Sequence, residues 1–342
     1  MSFSTLTVEI LKCHGTRNDF IAVDETHSEQ VPEGLKKSFS RLVADRQTGI
    51  GADGIVFVSA VDAQRPRMRF FNPDGSEAEM CGNGLRCAVR ICHEGRFKEQ
   101  NSLLFTTLGG EFKTDYFISP EFGIPFVRIF LDPVQINPEK ILKSRRSKPF
   151  LSETFVVHGQ EWSGTLLSIG NPHLIVNVAD LRQIDLVALG HAMENHPMFT
   201  NRANVTFVQL LDGAKILVQT YERGAGLTLA CGTGMTSAAV AQVLNGSLPN
   251  HGEIEVHLAG GVAWVTPHVE ENHLSASLTG NATFLYRGLV KLRVAGEQVA
   301  FGGEERVEQS YVYREEIEKY AKFTKKSLFD AEILKGTPLF NR

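Results

Sequence analysis

Short apolar runs separated by turn residues dominate the first two-thirds of the chain. Residues 20–23 and 54–58 are rich in β-forming side chains and are bounded by polar residues or glycines, which is typical of strands. The longest apolar stretch, residues 55–61, is far too short to cross a bilayer as a helix. The pattern therefore predicts a protein rich in short strands.

Helical spacing is rarer, and its two clearest examples follow the same kind of turn. After Cys81-Gly-Asn-Gly, apolar residues fall at positions i, i+3, i+4 and i+7, namely Leu85, Ala88, Val89 and Cys92. After Cys231-Gly-Thr-Gly a similar spacing returns at Met235, Ala238, Ala239 and Gln242-Val243, and predicts a helix that ends near Leu244. One arrangement, a Cys-Gly-x-Gly turn followed by a buried helix, thus occurs once in each half of the chain.

This repeat predicts two related α+β domains, each presenting the N-terminus of a central helix. A chain of 342 residues is long enough for two domains that each bury a core. We expect one domain to comprise residues 1–135 together with about 282–342, and the second to comprise about 136–281. The linker is expected within residues 133–150, which contain Pro133, Pro138 and Pro149.

The tail from about residue 293 has a different character. Residues 304–326 are dense in charge, and their apolar positions have the spacing of one or two amphipathic helices: Val307, Tyr311, Tyr313, Ile317, Tyr320 and Phe323. We expect an extra helix docked on the outside of the protein. The alternative is a contact between subunits, which would make the chain a homodimer.

Composition and charge exclude several classes of function. Hydrophobic residues make up 42% of the chain and charged residues 22%, the balance of a soluble globular protein. The net charge of −4 gives no electrostatic reason for a nucleic-acid or membrane partner. The first residues lack the apolar core of a secretory signal, so we expect a cytoplasmic protein whose five cysteines are free thiols. No C-x-x-C pair occurs, so we expect no bound metal.

The two Cys-Gly-x-Gly turns carry the chemistry. A cysteine at a glycine-flanked helix start lies near unpaired N–H groups and the positive end of the helix dipole, which favour a thiolate. The same N–H groups can bind a carboxylate. If the two helix starts face each other across an interdomain cleft, Cys81 and Cys231 stand on opposite sides of one α-carbon. One thiolate could then remove the α-proton while the other thiol delivers a proton to the opposite face, which is racemisation.

The same residues allow other interpretations. A lone cysteine is more often a small buried side chain than a nucleophile, so we expect Cys13, Cys87 and Cys92 to be buried and inert. Cys81 and Cys231 could instead form a redox-sensitive disulfide, or the site could bind an amino acid without catalysis. A pyridoxal-phosphate enzyme needs a Schiff-base lysine, and neither glycine-rich segment contains one, so we expect no cofactor. Residues 49–54 read G-x-G-x-x-G but precede a strand, which argues against a dinucleotide site.

The sequence resembles the diaminopimelate epimerase family from about residue 12 to residue 292. In chain order, the matching motifs are Lys12-Cys-His-Gly-Thr-Arg-Asn18, Asp45-Arg46 with Thr48-Gly-Ile-Gly-Ala-Asp-Gly54, Asn72-x-Asp-Gly-Ser with Cys81-Gly-Asn-Gly, Gly170-Asn171-Pro-His173, Arg202-x-Asn204, and Glu222-Arg223-Gly with Cys231-Gly-Thr-Gly. Several separate motifs in the same order make chance similarity improbable.

The resemblance implies a fold and a set of site residues. The fold is α+β, with two pseudo-symmetric domains, each a barrel-like, mostly antiparallel sheet around a central helix, and the active site in the interdomain cleft. Cys81 and Cys231 would be the catalytic bases. The backbone N–H groups of Gly82, Asn83, Gly232 and Thr233 would bind the reacting carboxylate. The side chains that would hold the rest of the substrate are Asn18, Asn72, Asn171, Asn204, Glu222 and Arg223, and His173 is a candidate supporting residue.

The substrate is less sharply implied than the chemistry. The distal residues favour cofactor-independent conversion of LL- to meso-diaminopimelate, but racemases of other amino acids, including histidine, share this fold and cysteine pair. Three departures from the family pattern, Arg17, Leu174 and Leu227, keep histidine or another polar amino acid open. Asn72 precedes a proline and could equally be a turn residue.

Overall fold

The computed structural model describes residues 4–136, 141–144, 148–303, 307–310, 313–329, 333 and 335. The α-helices are α1 (Lys36–Ala44), α2 (Gly82–Glu94), α3 (Leu186–Glu194), α4 (Gly232–Leu244) and α5 (Arg314–Thr324), with 3-10 turns at Glu33–Leu35 and Leu181–Gln183. The strands are β1 (Ser4–Gly15), β2 (Asn18–Glu25), β3 (Gly54–Ala60), β4 (Pro66–Phe71), β5 (Glu77–Ala78), β6 (Ser102–Thr107), β7 (Gly110–Ile118), β8 (Pro125–Leu131), β9 (Glu153–Val157), β10 (Gln160–Ser168), β11 (Pro172–Asn177), β12 (Asn204–Leu210), β13 (Lys215–Glu222), β14 (Gly226–Leu227), β15 (Ile254–Leu258), β16 (Gly261–Val269), β17 (Leu274–Asn281), β18 (Thr283–Ala295), β19 (Gln298–Phe301) and β20 (Glu308–Ser310). No helix among these residues is long and apolar enough to cross a membrane.

The chain divides into two compact units. The first contains Met1–Ile129 and Gly280–Phe323, and the second contains Phe130–Thr279 and Thr324–Arg342. The chain leaves the first unit inside β8 and returns to it inside β17. The expected boundaries were 135/136 and 281/282, and the proline-rich segment expected to be a linker falls inside the second unit in this division.

The first unit is a mostly antiparallel sheet curved around α2. Its strands are hydrogen-bonded in the order β18-β1-β2-β3-β4-β6-β7-β8, and only the β2–β3 and β4–β6 pairs are parallel. The helix contacts β1, β2, β3, β4 and β7. Because these strands span nearly the whole sheet, the sheet has to wrap around the helix to reach it on several sides.

The second unit repeats this order of parallel and antiparallel pairs, although its first strand, β9, directly precedes β10 in the chain, whereas β18 follows all the other strands of its order. The order is β9-β10-β11-β12-β13-β15-β16-β17, and only the β11–β12 and β13–β15 pairs are parallel. In both units an outer helix directly precedes the fourth strand of this order, β3 or β12, and a short hairpin strand precedes the cysteine-led helix. Helix α4 contacts β10, β11, β12, β13, β15 and β16. The predicted fold class, two pseudo-symmetric α+β domains built around central helices, is confirmed.

The residues of the two central helices explain their position. Nearly every side chain of α2 between Asn83 and His93 is buried, as is nearly every one of α4 between Gly232 and Gln242. A helix that is buried all round must lie inside a core. Small residues at Gly234, Ser237, Ala238 and Ala239 allow the surrounding strands to approach α4 closely. Helix α4 ends at Leu244, where the sequence pattern predicts its end.

The tail confirms one part of its prediction and corrects another. Helix α5 forms at Arg314–Thr324, and its buried residues are Tyr320 and Phe323, two of the predicted apolar positions. Residues 308–310 are not helical: they form a strand that pairs with β18. The backbone groups of residues 308–310 are hydrogen-bonded to β18. A pattern of side chains does not reveal such a backbone pairing. Residues 304–306 and Tyr311, also part of the predicted helical stretch, lie outside the described residues.

Candidate active site

Cys81 is the N-cap residue of α2, and its sulfur lies at the positive end of that helix. The residue is extended (φ −138°, ψ 110°), and its Sγ accepts a hydrogen bond of 3.5 Å from the Gly84 N–H. A Cβ atom on Gly84 would lie 3.2 Å from the Val56 side chain and 3.6 Å from this sulfur, so the turn has little room for a side chain there. Cys81 is only half-buried. An N–H donor and the positive end of a helix at this position favour negative charge on the sulfur.

A polar network fixes the side chains beside Cys81. Asn83, which is 2% exposed, donates from Nδ2 to Asn18 Oδ1 at 3.0 Å. Asn18 donates in turn to Asp53 Oδ2 at 2.8 Å, and Arg46 Nη2 donates to Asp53 Oδ1 at 2.7 Å. The structure thus brings together the predicted residues Cys81, Gly82, Asn83 and Asn18.

A cluster of charged side chains lies next to this network. Asp19 forms ion pairs with Lys12 and Arg46. Burial opposes the charge on Asp19, but Lys12 and Arg46 together hold the pKa of its carboxyl below the ordinary value. Arg46 and Asp53 belong to motifs quoted above, but their role in holding Asn18 was not predicted, because it depends on a contact between distant loops.

Arg86, which the sequence did not single out, is a fully buried cation next to the Cys81 helix start. Its guanidinium donates to the Asn281 carbonyl at 2.9 Å and to Thr16 Oγ1 at 2.6 Å, while its Nη1 has no hydrogen-bond partner among the described residues. Burial lowers the pKa of Arg86 to about 10, so the side chain remains charged at neutral pH. It lies within electrostatic range of Cys81. A buried positive charge at this place favours negative charge on the sulfur or on a bound carboxylate.

Asn72 lies in the turn between β4 and β5 rather than in this network. Its Nδ2 donates to Ser76 Oγ at 3.0 Å, and its backbone N–H donates to the Ser76 carbonyl at 2.8 Å. The side chain is half-buried. The Asn72 side chain is therefore hydrogen-bonded within a turn, and not within the network beside Cys81.

Cys231 occupies the equivalent N-cap position of α4 in the second unit, but it is only 7% exposed. Its Sγ lies 3.5 Å from Thr233 Oγ1. Burial and the nearby Glu222 carboxylate raise the pKa of Cys231 well above its ordinary value, while Thr233 and the Gly234 N–H act in the opposite direction. A cavity of about 10 Å³, lined in part by Thr220, Cys231 and Met235, lies beside this sulfur. Cys231 is therefore a thiol in the free protein, with donors placed to stabilise its thiolate.

His173 connects the predicted residues around Cys231. Its Nε2 lies 2.9 Å from Thr233 Oγ1, 3.2 Å from Asn171 Oδ1 and 3.3 Å from Asn204 Nδ2. Burial, and more weakly the charge of Arg223, lowers the pKa of His173 to about 3, so the ring is neutral at physiological pH. A neutral ring can accept a hydrogen bond from the Thr233 hydroxyl. His173 therefore orients the first residues of α4.

Asn204 and Glu194 fix the loop that carries Arg223. The Asn204 Oδ1 accepts from the Arg223 N–H at 2.8 Å. Glu194 is 3% exposed and accepts from the Gly224 N–H at 2.9 Å and from Arg202 Nη1 at 2.9 Å. The Arg223 side chain itself is exposed. Glu194 was not predicted, since it lies on α3, outside every motif, and reaches the loop only through the fold.

The remaining cysteines and two of the three departures from the family pattern belong to the core. Cys13, Cys87 and Cys92 are fully buried, and all five cysteines are free thiols. Leu174 is also fully buried, and a Cβ on Gly164 of β10 would lie 2.8 Å from its Cδ1. Leu227 packs against the same core cluster as Leu174. Arg17, in contrast, is exposed and adopts a left-handed conformation with φ 61°.

In each unit, the arrangement can bind an anion and exchange a proton. A sulfur and the first N–H groups of a buried helix lie at the same point, and amide or carboxylate side chains lie near them. Among the described residues, no group of three or more His, Cys, Asp or Glu side chains could hold a metal ion.

Comparison with known proteins agrees with the fold and the motifs. The chain is 39% identical to a diaminopimelate epimerase from Moorella thermoacetica over 282 residues, which are 82% of this chain and 98% of that protein. It is 36% identical to a diaminopimelate epimerase from Methanothermobacter thermautotrophicus over 280 residues, 82% of this chain and 97% of that protein.

Solved structures share the fold at low sequence identity. A phenazine biosynthesis protein of the PhzF family from Bacillus anthracis has a TM-score of 0.62 at 17% identity, covering 84% of this chain and 99% of its own. A hydroxyproline epimerase from Agrobacterium vitis, with bound trans-4-hydroxy-L-proline, has a TM-score of 0.60 at 14% identity, covering 85% of this chain and 93% of its own. The sequence model of the diaminopimelate epimerase family matches residues 10–121 and 165–285. The chain therefore belongs to the diaminopimelate epimerase family and is an isomerase.

Proposed function

We propose that this epimerase converts LL- to meso-diaminopimelate, using Cys81 and Cys231 as two opposed acid–base groups and no cofactor. The observation that carries the proposal is the topological equivalence of these residues: each is the N-cap of the buried central helix of its own unit. The family relationship supports the amino-acid substrate, and the five free thiols suit the reducing cytoplasm, where we propose that the enzyme works.

The two sulfurs have different protonation states before reaction. Burial and the Glu222 carboxylate keep Cys231 as a thiol. The Gly84 N–H, the helix dipole and the buried charge of Arg86 favour Cys81 as the thiolate. Cys81 therefore begins as the base and Cys231 as the acid in one direction of the reaction.

The proposed step moves one proton at each face of the α-carbon. The Cys81 thiolate takes the α-proton, and the C–H electron pair is delocalised into the substrate carboxylate as an enolate. The Cys231 S–H then gives its proton to the opposite face, so the configuration inverts. Cys81 ends as a thiol and Cys231 as a thiolate. Proton transfer by positioned groups of this kind contributes about 10²- to 10⁴-fold to a rate.

The enolate charge needs stabilisation because the α-hydrogen is only weakly acidic. The N–H groups of Gly82, Asn83, Gly232 and Thr233 are the donors proposed for the reacting carboxylate, and each preorganised donor of this kind is worth roughly 3–4 kcal/mol. Arg86 adds a fixed positive charge that needs no reorganisation during the reaction.

The distal end of the substrate carries an ammonium and a carboxylate. The exposed Arg223 guanidinium suits that carboxylate, and Glu222 with amide oxygens suits the ammonium. Asn18, Asn171 and Asn204 line the proposed site through the contacts described above. Asn72 is also proposed to contact the substrate, from its position in the turn between β4 and β5.

The experiment that tests the substrate is chiral analysis of amino acids after incubation with the reduced enzyme. We expect LL-diaminopimelate to be converted to the meso form, and L-histidine in a parallel incubation to be unchanged. Conversion of L-histidine without conversion of LL-diaminopimelate would assign the scaffold to another amino acid. Unchanged configuration of both substrates, with binding of either, would instead favour an amino-acid-binding protein.

A further inference from the structure

Helix α5 lies beyond the family match, which ends at residue 285, and it is anchored firmly to the first unit. Glu316 accepts two hydrogen bonds, of 2.5 and 2.7 Å, from Arg90 of α2, a side chain that is 3% exposed. Phe323 packs with ring centroids 4.9 Å from Phe122 and 5.6 Å from Phe126. A buried, bidentate ion pair and an aromatic cluster fix both the position and the rotation of the helix.

This anchoring brings Tyr320 onto the turn between β1 and β2. Tyr320 is 7% exposed, and its ring meets that of His14 edge-on, with centroids 4.5 Å apart. The Arg17 backbone N–H donates to the Tyr320 hydroxyl and also points to His14 Nδ1 at 3.3 Å. Burial lowers the pKa of His14 to about 3, so its ring is neutral and can accept this bond.

The turn that Tyr320 covers is strained. Thr16 and Arg17 have φ values of 54° and 61°, in the left-handed region that residues with a Cβ rarely adopt. Thr16 is held by a 3.0 Å bond from its N–H to Asn281 Oδ1 and by the Arg86 guanidinium. For Arg17, the contacts described above come from His14 and Tyr320. The strained backbone is thus held in part by a residue of the tail.

The next residue along the chain is Asn18, whose Oδ1 accepts from Asn83. We propose that Tyr320 is a positioning residue: by holding the left-handed turn at Arg17, the tail helix aligns Asn18 with the start of α2 in the substrate site. The inference rests on the proposed function of Asn18 in binding substrate. Tyr320 acts through the backbone of the turn and not by contact with the reacting atoms.

The test compares Tyr320→Ala with Tyr320→Phe and with Lys322→Ala, an exposed position of the same helix. In Tyr320→Ala, KM for the substrate should rise about tenfold with little change in kcat. The reason is that this variant loses about one hydrogen bond, which positions the substrate site before the chemical step. Hydrogen exchange of the backbone amides in residues 15–18 should accelerate in Tyr320→Ala, and less so in Tyr320→Phe, which keeps the contact with His14. Lys322→Ala should change neither quantity.

A second variant separates positioning from general destabilisation. Glycine adopts the left-handed conformation without strain, so Arg17→Gly should make the turn independent of Tyr320. We expect Tyr320→Ala to cost less than about twofold in KM when it is combined with Arg17→Gly. An equal loss in both backgrounds, or unchanged amide exchange at residues 15–18 in Tyr320→Ala, would overturn the proposal. If the unmodified enzyme epimerises no amino acid, the proposed function fails, and the amide exchange still decides the role of Tyr320.

Discussion

The carboxylate of Glu222 faces the thiol of Cys231 at the start of α4. Together with burial of the sulfur, this charge raises the pKa of Cys231 well above the ordinary value of a cysteine. At the other sulfur the neighbouring charge is positive, because Arg86 lies near Cys81. The two cysteines thus have opposite electrostatic surroundings, and this difference assigns the thiol and the thiolate of the proposed reaction.

Glu222→Gln removes the negative charge and should therefore lower the pKa of Cys231. We expect alkylation of Cys231, followed by mass spectrometry of its peptide, to begin about one pH unit lower than in the unmodified protein. Glu253→Gln, a change at an exposed position, should leave the pH dependence as it was. If Cys231 reacts over the same pH range in all three proteins, the Glu222 carboxylate does not control its protonation.

His173 should make the protein sensitive to acid. The pKa of His173 is about 3 in the folded protein and 6.5 in the unfolded chain. Between these two pH values His173 is therefore protonated in the unfolded chain and neutral in the folded protein. The contribution of His173 to stability is therefore complete above about pH 6.5 and is lost as the pH falls toward 3, by up to about 1.4 kcal/mol per pH unit. Urea denaturation between these pH values should show a shallower loss for His173→Gln than for the unmodified protein. The exposed His27→Gln is the matched control, and an equal slope in His173→Gln would contradict this account.

Glu194→Gln should weaken substrate binding more than chemistry. The carboxylate holds the Gly224 N–H and the Arg202 guanidinium, and so fixes the loop that presents Arg223. Weakening these charge-assisted hydrogen bonds should raise KM about tenfold and leave kcat within about twofold. Glu271→Gln, at an exposed position, serves as the control in steady-state assays. A fall in kcat at unchanged KM would show that this loop acts on the reaction itself.

The central helices could be predicted from sequence because their signals are local. Four apolar positions at helical spacing follow a Cys-Gly-x-Gly turn in each case, and the helices extend from Gly82 to Glu94 and from Gly232 to Leu244. The α+β class followed from the same pattern. The two parallel pairs in each unit did not, since each joins strands whose pairing depends on intervening loops and helices.

The supporting residues of the site lacked any local signal. Arg86 reaches Thr16 across 70 residues of sequence, and Asn281 reaches Thr16 across 265. Within α2, Arg86 looks like a polar position of an amphipathic helix, and only the surrounding sheet makes it a buried cation. Leu174 was misleading for a different reason. It follows His173 directly, but successive residues of a strand face opposite sides, and Leu174 packs in the core.

The most direct test of the two-thiol account is the epimerisation rate of the single variants Cys81→Ala, Cys231→Ala and Cys92→Ala under reducing conditions. Circular dichroism confirms that each variant is folded before it is assayed. Loss of either proposed base should lower the rate at least about 10³-fold, while Cys92→Ala, which removes a buried thiol elsewhere on α2, should keep most of the activity. Near-normal epimerisation by folded Cys231→Ala would contradict the account.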